Sequence, residues 1–184
     1  MDRFTLNDLE KLTGIRSDTI RIWESRYGIL TPGRTSTNRR LYSDNDLVHL
    51  LNISVLYRNN YKISAIARLS ANEVAERASA LFSNPAEPDT AMDALLVAMT
   101  RFDETSVDEI LLQSVINLAF RETFESVIFP FIRKVGQMWH TGSVNVGAEH
   151  FMSGIFRQRL ISATDMIPPA SGKDAKRVIM FLPE

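Results

Sequence analysis

The chain has 184 residues, 45% of them hydrophobic and 23% charged, which is the balance of a globular protein rather than a disordered one. Its 21 basic and 22 acidic residues leave a net charge of -1, and it has no cysteine. That excludes disulfides, thiolate metal sites, cysteine-bound iron–sulfur clusters and a cysteine nucleophile. No apolar run approaches a membrane span and the amino terminus has no signal-peptide pattern, so a cytoplasmic protein with no membrane partner is expected. The near-neutral total conceals an asymmetry. Residues 1–70 hold 11 Lys/Arg against 7 Asp/Glu, whereas residues 71–184 hold 10 against 15. Arg16, Arg21, Arg26, Arg34, Arg39 and Arg40 fall within 25 positions. A run of charge commonly means a solvated face, but arginine is also the residue best suited to phosphate and guanine contacts.

In chain order, Thr5 is expected to cap a first helix through Leu12, with Leu6, Leu9 and Leu12 as its buried stripe and Thr13-Gly14 as its stop. Ser17 or Asp18 is expected to cap a second helix to about Tyr27, with Ile20 and Trp23 inward and Arg21 and Arg26 outward. Two short helices about a tight glycine turn form a helix-turn-helix unit, whose second helix enters the major groove. Gly28, Pro32 and Gly33 break helix, and Arg34 to Tyr42 suits a hairpin turning near Thr37-Asn38. Arg16, Thr19, Arg21 and Arg26 are then placed to meet DNA from the recognition helix and its approach. Arg34, Arg39 and Arg40 on the hairpin reach flanking phosphates or a minor groove. Tyr42 is counted with this DNA-facing set, although packing of Trp23 and Tyr42 between helix and wing is the weightier reading. Glu24 is expected to pair with a local arginine, and His49 to be structural or exposed.

Ser43-Asp44-Asn45-Asp46 reads as a capping box with Asp in place of Glu, opening a Leu-rich helix that Asn59-Asn60 ends. A short helix from Ile63 to Leu69 follows, then the capping box Ser70 to Glu73 and a helix ending near Phe82. Residues 83–89 contain two prolines and read as a linker. Four helical segments follow at about 90–101, 104–118, 121–140 and 144–166, with a kink expected at Pro130. They imply an up-and-down four-helix bundle. After a second linker, residues 177–183 read as a buried strand of the kind that opens an α/β sheet, so the natural chain is expected to continue into an α/β domain. The expected organisation is a DNA-binding domain at 1–70, a helix and linker at 71–89, a helical bundle at 90–167, and a linker with the first strand at 168–184. The fold class is mainly α.

Two resemblances sharpen this reading. The run Thr19-Ile20-Arg21-Ile22-Trp23-Glu24-Ser25-Arg26-Tyr27-Gly28, continued by Pro32-Gly33-Arg34 and Arg40-Leu41-Tyr42-Ser43, resembles the MerR-family winged helix-turn-helix over residues 4–70. Its Trp-Glu-x-Arg-Tyr-Gly form is similar to the subgroup of light- and vitamin B12-dependent repressors of the CarA, CarH and LitR type. Thr37-Asn38 departs from the glycines usual at that wing tip, and Asn tolerates the positive φ of the turn. Trp139, followed after nine residues by Glu149-His150, resembles the Trp-x9-Glu-His signature of the cobalamin-binding helical cap in the same subgroup.

The resemblance implies that Trp139 and Glu149 lie over the upper face of a corrin beside an adenosyl group, with His150 nearby. It places His140 where the upper axial cobalt ligand forms after photolysis. Taken singly, Trp139 also reads as a core or interface residue, and Glu149-His150 as a solvated pair near a helix start. The Asp-x-His-x-x-Gly motif that supplies the lower ligand in the family does not occur in these 184 residues, so this chain by itself is expected to bind B12 weakly or not at all. The expected function is a nucleoid-associated transcriptional regulator, a repressor acting on double-stranded operator DNA as a homodimer or homotetramer. Adenosylcobalamin and light would control it. The alternatives are a B12-independent MerR-type repressor governed by a protein antirepressor or another ligand, and a cobalamin-dependent methyltransferase or mutase module. No enzyme activity is expected.

Overall fold

The computed structural model describes residues 4–83, 85, 87–140 and 146–168, and of residues 138–140 only the backbone. Helix α1 (Leu6–Thr13) starts at a reciprocal cap: the Asp8 carboxylate accepts the Thr5 N–H at 2.8 Å, and the Thr5 hydroxyl accepts the Asp8 N–H at 3.3 Å. It stops at Gly14, whose φ of 72° only glycine adopts without cost, with its N–H on the Glu10 carbonyl. Helix α2 (Ser17–Tyr27) is not capped by Ser17 or Asp18 as expected. Ser17 already lies inside the helix, and Glu10 reaches across the turn from α1 to accept both the Ser17 N–H, at 3.1 Å, and its hydroxyl. The cap thus also ties the two helices together.

Strands β1 (Gly33–Arg34) and β2 (Arg40–Leu41) pair antiparallel, Gly33 opposite Leu41 and Arg34 opposite Arg40. Asn38 takes the left-handed turn position, φ 61°, and its side-chain oxygen accepts from Arg34 at 2.7 Å. Phe4 and Tyr42 exchange backbone bonds of 3.0 and 2.9 Å, which fastens the wing to the start of the chain. Helix α3 (Asp44–Arg58) opens with the expected Ser43–Asp46 box. The shorter carboxylate still meets the Ser43 N–H at 2.8 Å. Helix α4 (Ile63–Ile66) is a single turn, shorter than expected, and α5 (Ala71–Phe82) follows the Ser70–Glu73 box.

Helix α6 (Pro88–Arg101) begins inside the stretch read as a linker, because Pro88 suits a first helical turn. Pro85 is also buried, its carbonyl accepting the Asn117 amide at 3.1 Å. Asp103 caps α7 (Glu104–Leu118) through the Ser106 N–H at 3.0 Å. Helix α8 (Phe120–Thr123), a π turn at Phe124–Ile128 and α9 (Phe129–His140) then run on without a break. The π turn is the structural response to Pro130. Proline lacks the N–H for the carbonyl four residues back and crowds it, and the preceding turn widens so that the Phe129 N–H donates to Phe124, five residues back. Helix α10 (Val146–Asp165) completes the bundle. The expected strand at 177–183, the Thr141-Gly142 break and the Ser143 cap lie outside the described residues. Among the described residues no helix is long and apolar enough to cross a membrane.

One apolar core runs from Leu9, Leu12 and Ile20 through Leu50 and Leu51 to Leu95, Val107, Phe131 and Phe156. Helix α3 packs on α5 and α6, while α6 packs on α7, the π turn and α10. At the α3–α6 seam the buried Asp93 carboxylate accepts the Ser54 hydroxyl at 2.8 Å and the Arg58 guanidinium. Burial pushes the Asp93 carboxyl up, against Arg58, the Ser54 hydroxyl and Lys134 of α9, which hold it down.

Arg58→Met should therefore destabilise the chain by about 3 kcal/mol, the lower end for orphaning a buried charge because Arg58 is itself 34% exposed. Urea unfolding checks this, and a loss below about 1 kcal/mol would refute it. The caps carry a pH signature. Bonds from Ser17, Ser70 and Ser106 hold the carboxyls of Glu10, Glu73 and Asp103 below their ordinary range. Their contribution is complete above the unfolded values near 4 and disappears as pH falls through the lower folded values. The thermal midpoint should fall between about pH 5 and about pH 3, and fall less in the Glu10→Gln, Glu73→Gln, Asp103→Asn triple variant.

Candidate nucleic-acid interface and apolar cleft

Helix α2 divides into two faces. Ile20 is fully buried, and Trp23 packs edge-on against Tyr57 of α3 with ring centroids 5.0 Å apart. Trp23 thus holds α2 against α3. On the outer face Arg21, Ile22, Ser25 and Arg26 are exposed, with Arg16 at the approach and Thr19 half-buried. Arg21 lies 3.5 Å from Asp18 in an open i,i+3 pair that leaves its guanidinium available. Arg34 and Arg39 stand exposed on the wing.

Arg40 and Tyr42 differ from the other members of the expected set. Glu24 on α2 accepts from the Arg40 Nε at 3.1 Å and from the Tyr42 hydroxyl. Glu24 therefore has the arginine partner expected of it. Tyr42 is wholly buried and cannot touch DNA, which corrects its place among the contact residues. Burial first, and then the bond to Glu24, push its phenol well above the usual range. Arg40 remains half-buried at the edge of the face, aimed by Glu24.

The sequence reading passed over Ile22. It is 51% exposed in the middle of the arginine-bearing face, where no packing role accounts for it. An apolar side chain at that position matches the C5-methyl of thymine in a major groove. The available signal was an isoleucine off the Ile20–Trp23 stripe.

A cleft of about 240 Å3 opens between α9 and α10, walled by Phe131, Val135, Met152 and Phe156 and edged by Glu149 and His150. The Phe131 and Phe156 rings meet edge-on at 5.7 Å. At Gly136, on the same wall, an added Cβ would meet nothing within 4 Å, so the cleft is open above the backbone there. His150 Nδ1 lies 2.9 Å from Glu149 Oε2. Trp139 and His140 occupy the last turn of α9, and their side chains lie outside the described residues. Of the four expected cofactor residues, Glu149 and His150 are thus brought together at the cleft.

Residues 4–73 match the MerR HTH family regulatory protein model, and residues 91–162 match the B12 binding domain. In order along the chain, one segment is thus similar to MerR helix-turn-helix regulators and a second, helical segment is similar to the B12 binding domain. It is 31% identical to the HTH-type transcriptional repressor CarH of Myxococcus xanthus, over 98% of this chain and 62% of that protein. It is 23% identical to the repressor CarA of the same organism, over 90% of this chain and 54% of the relative. The regulator MlrA of Escherichia coli (strain K12) is 33% identical over 40% of this chain and 30% of its own length. These relatives are named as transcriptional regulators. The chain spans under two thirds of each.

Tyr42→Phe should lower stability by about 1.5–3 kcal/mol, the worth of a hydrogen bond to a charged group, and leave DNA affinity of the folded protein unchanged. Thermal melts paired with fluorescence anisotropy check this. A DNA defect without a stability defect would restore Tyr42 to the contact set.

Proposed function

We propose that this chain is the DNA-binding and cap portion of a light-responsive repressor that uses adenosylcobalamin. The observation that carries the reading is the apolar cleft of α9 and α10 with Glu149 and His150 at its edge, following a winged helix-turn-helix in the same chain. The cleft suits one face of a large, flat ring system: its walls are apolar, Gly136 leaves space over the backbone, and polar groups stand only at the rim.

On the DNA side, Arg16, Arg21 and Arg26 take phosphates and base edges, and Ile22 takes a thymine methyl. Thr19 stands beside them, and Arg34 and Arg39 reach the flanking backbone from the wing. Glu24 presents Arg40 in one orientation. On the cap side, Phe131, Val135 and Phe156 exclude water from the ring face. By the resemblance, Trp139 and Glu149 would hold the group on its adenosyl side, Glu149 would orient the His150 imidazole, and His140 would supply an imidazole ligand to cobalt. Bound adenosylcobalamin supplies a cobalt–carbon bond that visible light cleaves.

Self-association completes the device. Leu112 and Ile116, one turn apart on α7, are 59% and 65% exposed, and Leu160 and Ile161 on α10 are also exposed. Joining copies through such faces raises the effective concentration of weakly binding heads, and a shift between oligomer and monomer then switches DNA occupancy.

The test is an absorbance spectrum of the full-length protein, purified in the dark with adenosylcobalamin and desalted, before and after green light, with operator binding followed in parallel. Retained corrin colour that changes on illumination, together with DNA release, is expected. Colour without light-dependent release would refute the switch, and DNA binding without retained colour would refute the cofactor and favour the antirepressor reading. Arg21→Ala should weaken operator binding about tenfold and reduce the slope of log affinity against log salt by about 1. Salt-titrated anisotropy measures both.

A further inference from the structure

A second cavity, of about 150 Å3, lies where the DNA-reading segment meets the bundle. Helix α3 contributes Asn52 to its lining, α5 contributes Phe82, α6 contributes Val97 and Arg101, and α7 contributes Ile110 and Glu109. It shares no residue with the α9–α10 cleft.

Asn52 is the unusual member. It is only 4% exposed, on a helix whose other buried side chains are mostly Leu, Ile and Val. Among the described residues its carboxamide has no hydrogen-bond partner, whereas Ser54 and Asp93 nearby satisfy each other. Buried amides are ordinarily bonded, and a helix stripe of this kind packs as well with leucine. An unmade amide facing a cavity indicates that the partner comes from outside the chain.

The walls define what that partner is. Phe82, Val97 and Ile110 offer apolar contact beside the hydroxyl-bearing Ser79, Ser83 and Ser106, and a cavity of this size accepts a single six-membered ring. The lining also holds Arg101, Glu109 and Asp103, charges of both signs that favour neither an anion nor a cation, and the Asp103 carboxylate is already committed to Ser106. A neutral ring is selected. For the Asn52 carboxamide, which presents an oxygen acceptor beside an N–H donor, the full complement is an adjacent N–H and C=O, as in a lactam.

We propose that this cavity is a binding site for a neutral, single-ring cyclic amide, held by a paired hydrogen bond to Asn52. An occupant touches α3, which carries the seam to the bundle, and α6 and α7 of the bundle itself. Ligand there would stiffen the junction and make operator affinity depend on a second small molecule, independently of cobalamin.

The probe is 2-pyridone, titrated into the chain with the Asn52 side-chain amide signals followed by NMR and operator binding by anisotropy. Saturable shifts of those signals are expected, with binding at least about tenfold weaker for N-methyl-2-pyridone, which lacks the donor, and for Asn52→Leu. Equal binding of the N-methyl compound, or undiminished binding to Asn52→Leu, would overturn the assignment. So would an absence of shifts up to the solubility limit, with water-to-amide transfer at Asn52 identifying trapped water as its partner. The N-methyl comparison uses the unaltered protein, so it decides the matter even if Asn52→Leu does not fold.

Discussion

The carboxylate of Asp93 is the constraint on which the arrangement of the whole chain depends. It lies almost out of water between α3 and α6, and removing an ionised carboxylate from water costs several kcal/mol unless partners replace the solvent. Ser54 and Arg58, four residues apart on one face of α3, supply those partners. A slip of one residue along either helix would bring an apolar side chain to Asp93 and strand the charge. The pair therefore fixes the register between the DNA-reading segment and the bundle, which apolar contact alone would leave loose. Lys134 of α9, half-buried and pushed below its usual pKa by that burial, adds a positive charge on the bundle side. It lies within two turns of the end of the helix that edges the cleft. Proximity along a helix is not coupling by itself. What makes this seam capable of coupling is that a displacement of α9 changes the field at a carboxylate on which α3 depends.

Glu24 performs a comparable service within the DNA-reading segment. By holding Arg40 and Tyr42 together it divides the six arginines of residues 16–40 into two kinds: one positioned by the fold, and five that stand exposed. The acidic second half of the chain disposes of its charge differently. Asp103 caps a helix, Glu125 pairs with Arg121, and Asp108 takes the Arg159 Nε at 2.7 Å to tie α10 to α7. The basic half thus keeps its charge available while the acidic half spends much of its own internally.

Features whose causes are local were legible in the sequence. The boxes at Thr5, Ser43 and Ser70 depend on four consecutive residues, the stop at Gly14 on one, and the recognition helix on its Ile20–Trp23 stripe. Where sequence reading failed, the partner lay elsewhere in the chain. The cap of α2 comes from Glu10 on the preceding helix, so a search for Ser or Asp at the boundary found the wrong residue. Tyr42 is buried because Phe4, 38 positions earlier, pairs with it across the wing. Pro130 marks a disturbance of the helix, but nothing in a proline reveals that the preceding turn will widen into a π turn. Glu149 and His150 were found as a motif. Their place at the rim of an apolar cleft depends on how α9 and α10 pack.

The position of the two cavities bears on how such a chain answers a signal. The cleft lies between α9 and α10 of the bundle, and α9 also meets α1, so under the proposed function it would act on DNA through movement of these helices or through the association of copies. The cavity at Asn52 lies on the junction itself, where an occupant touches both segments directly. A ligand shifts an equilibrium only by its differential affinity for the two states. At the cleft that difference must be transmitted through packing, and a large ligand with extensive contact is required to supply it. At the junction a small ligand suffices, because breaking the seam would expose its apolar face and its hydrogen bonds together.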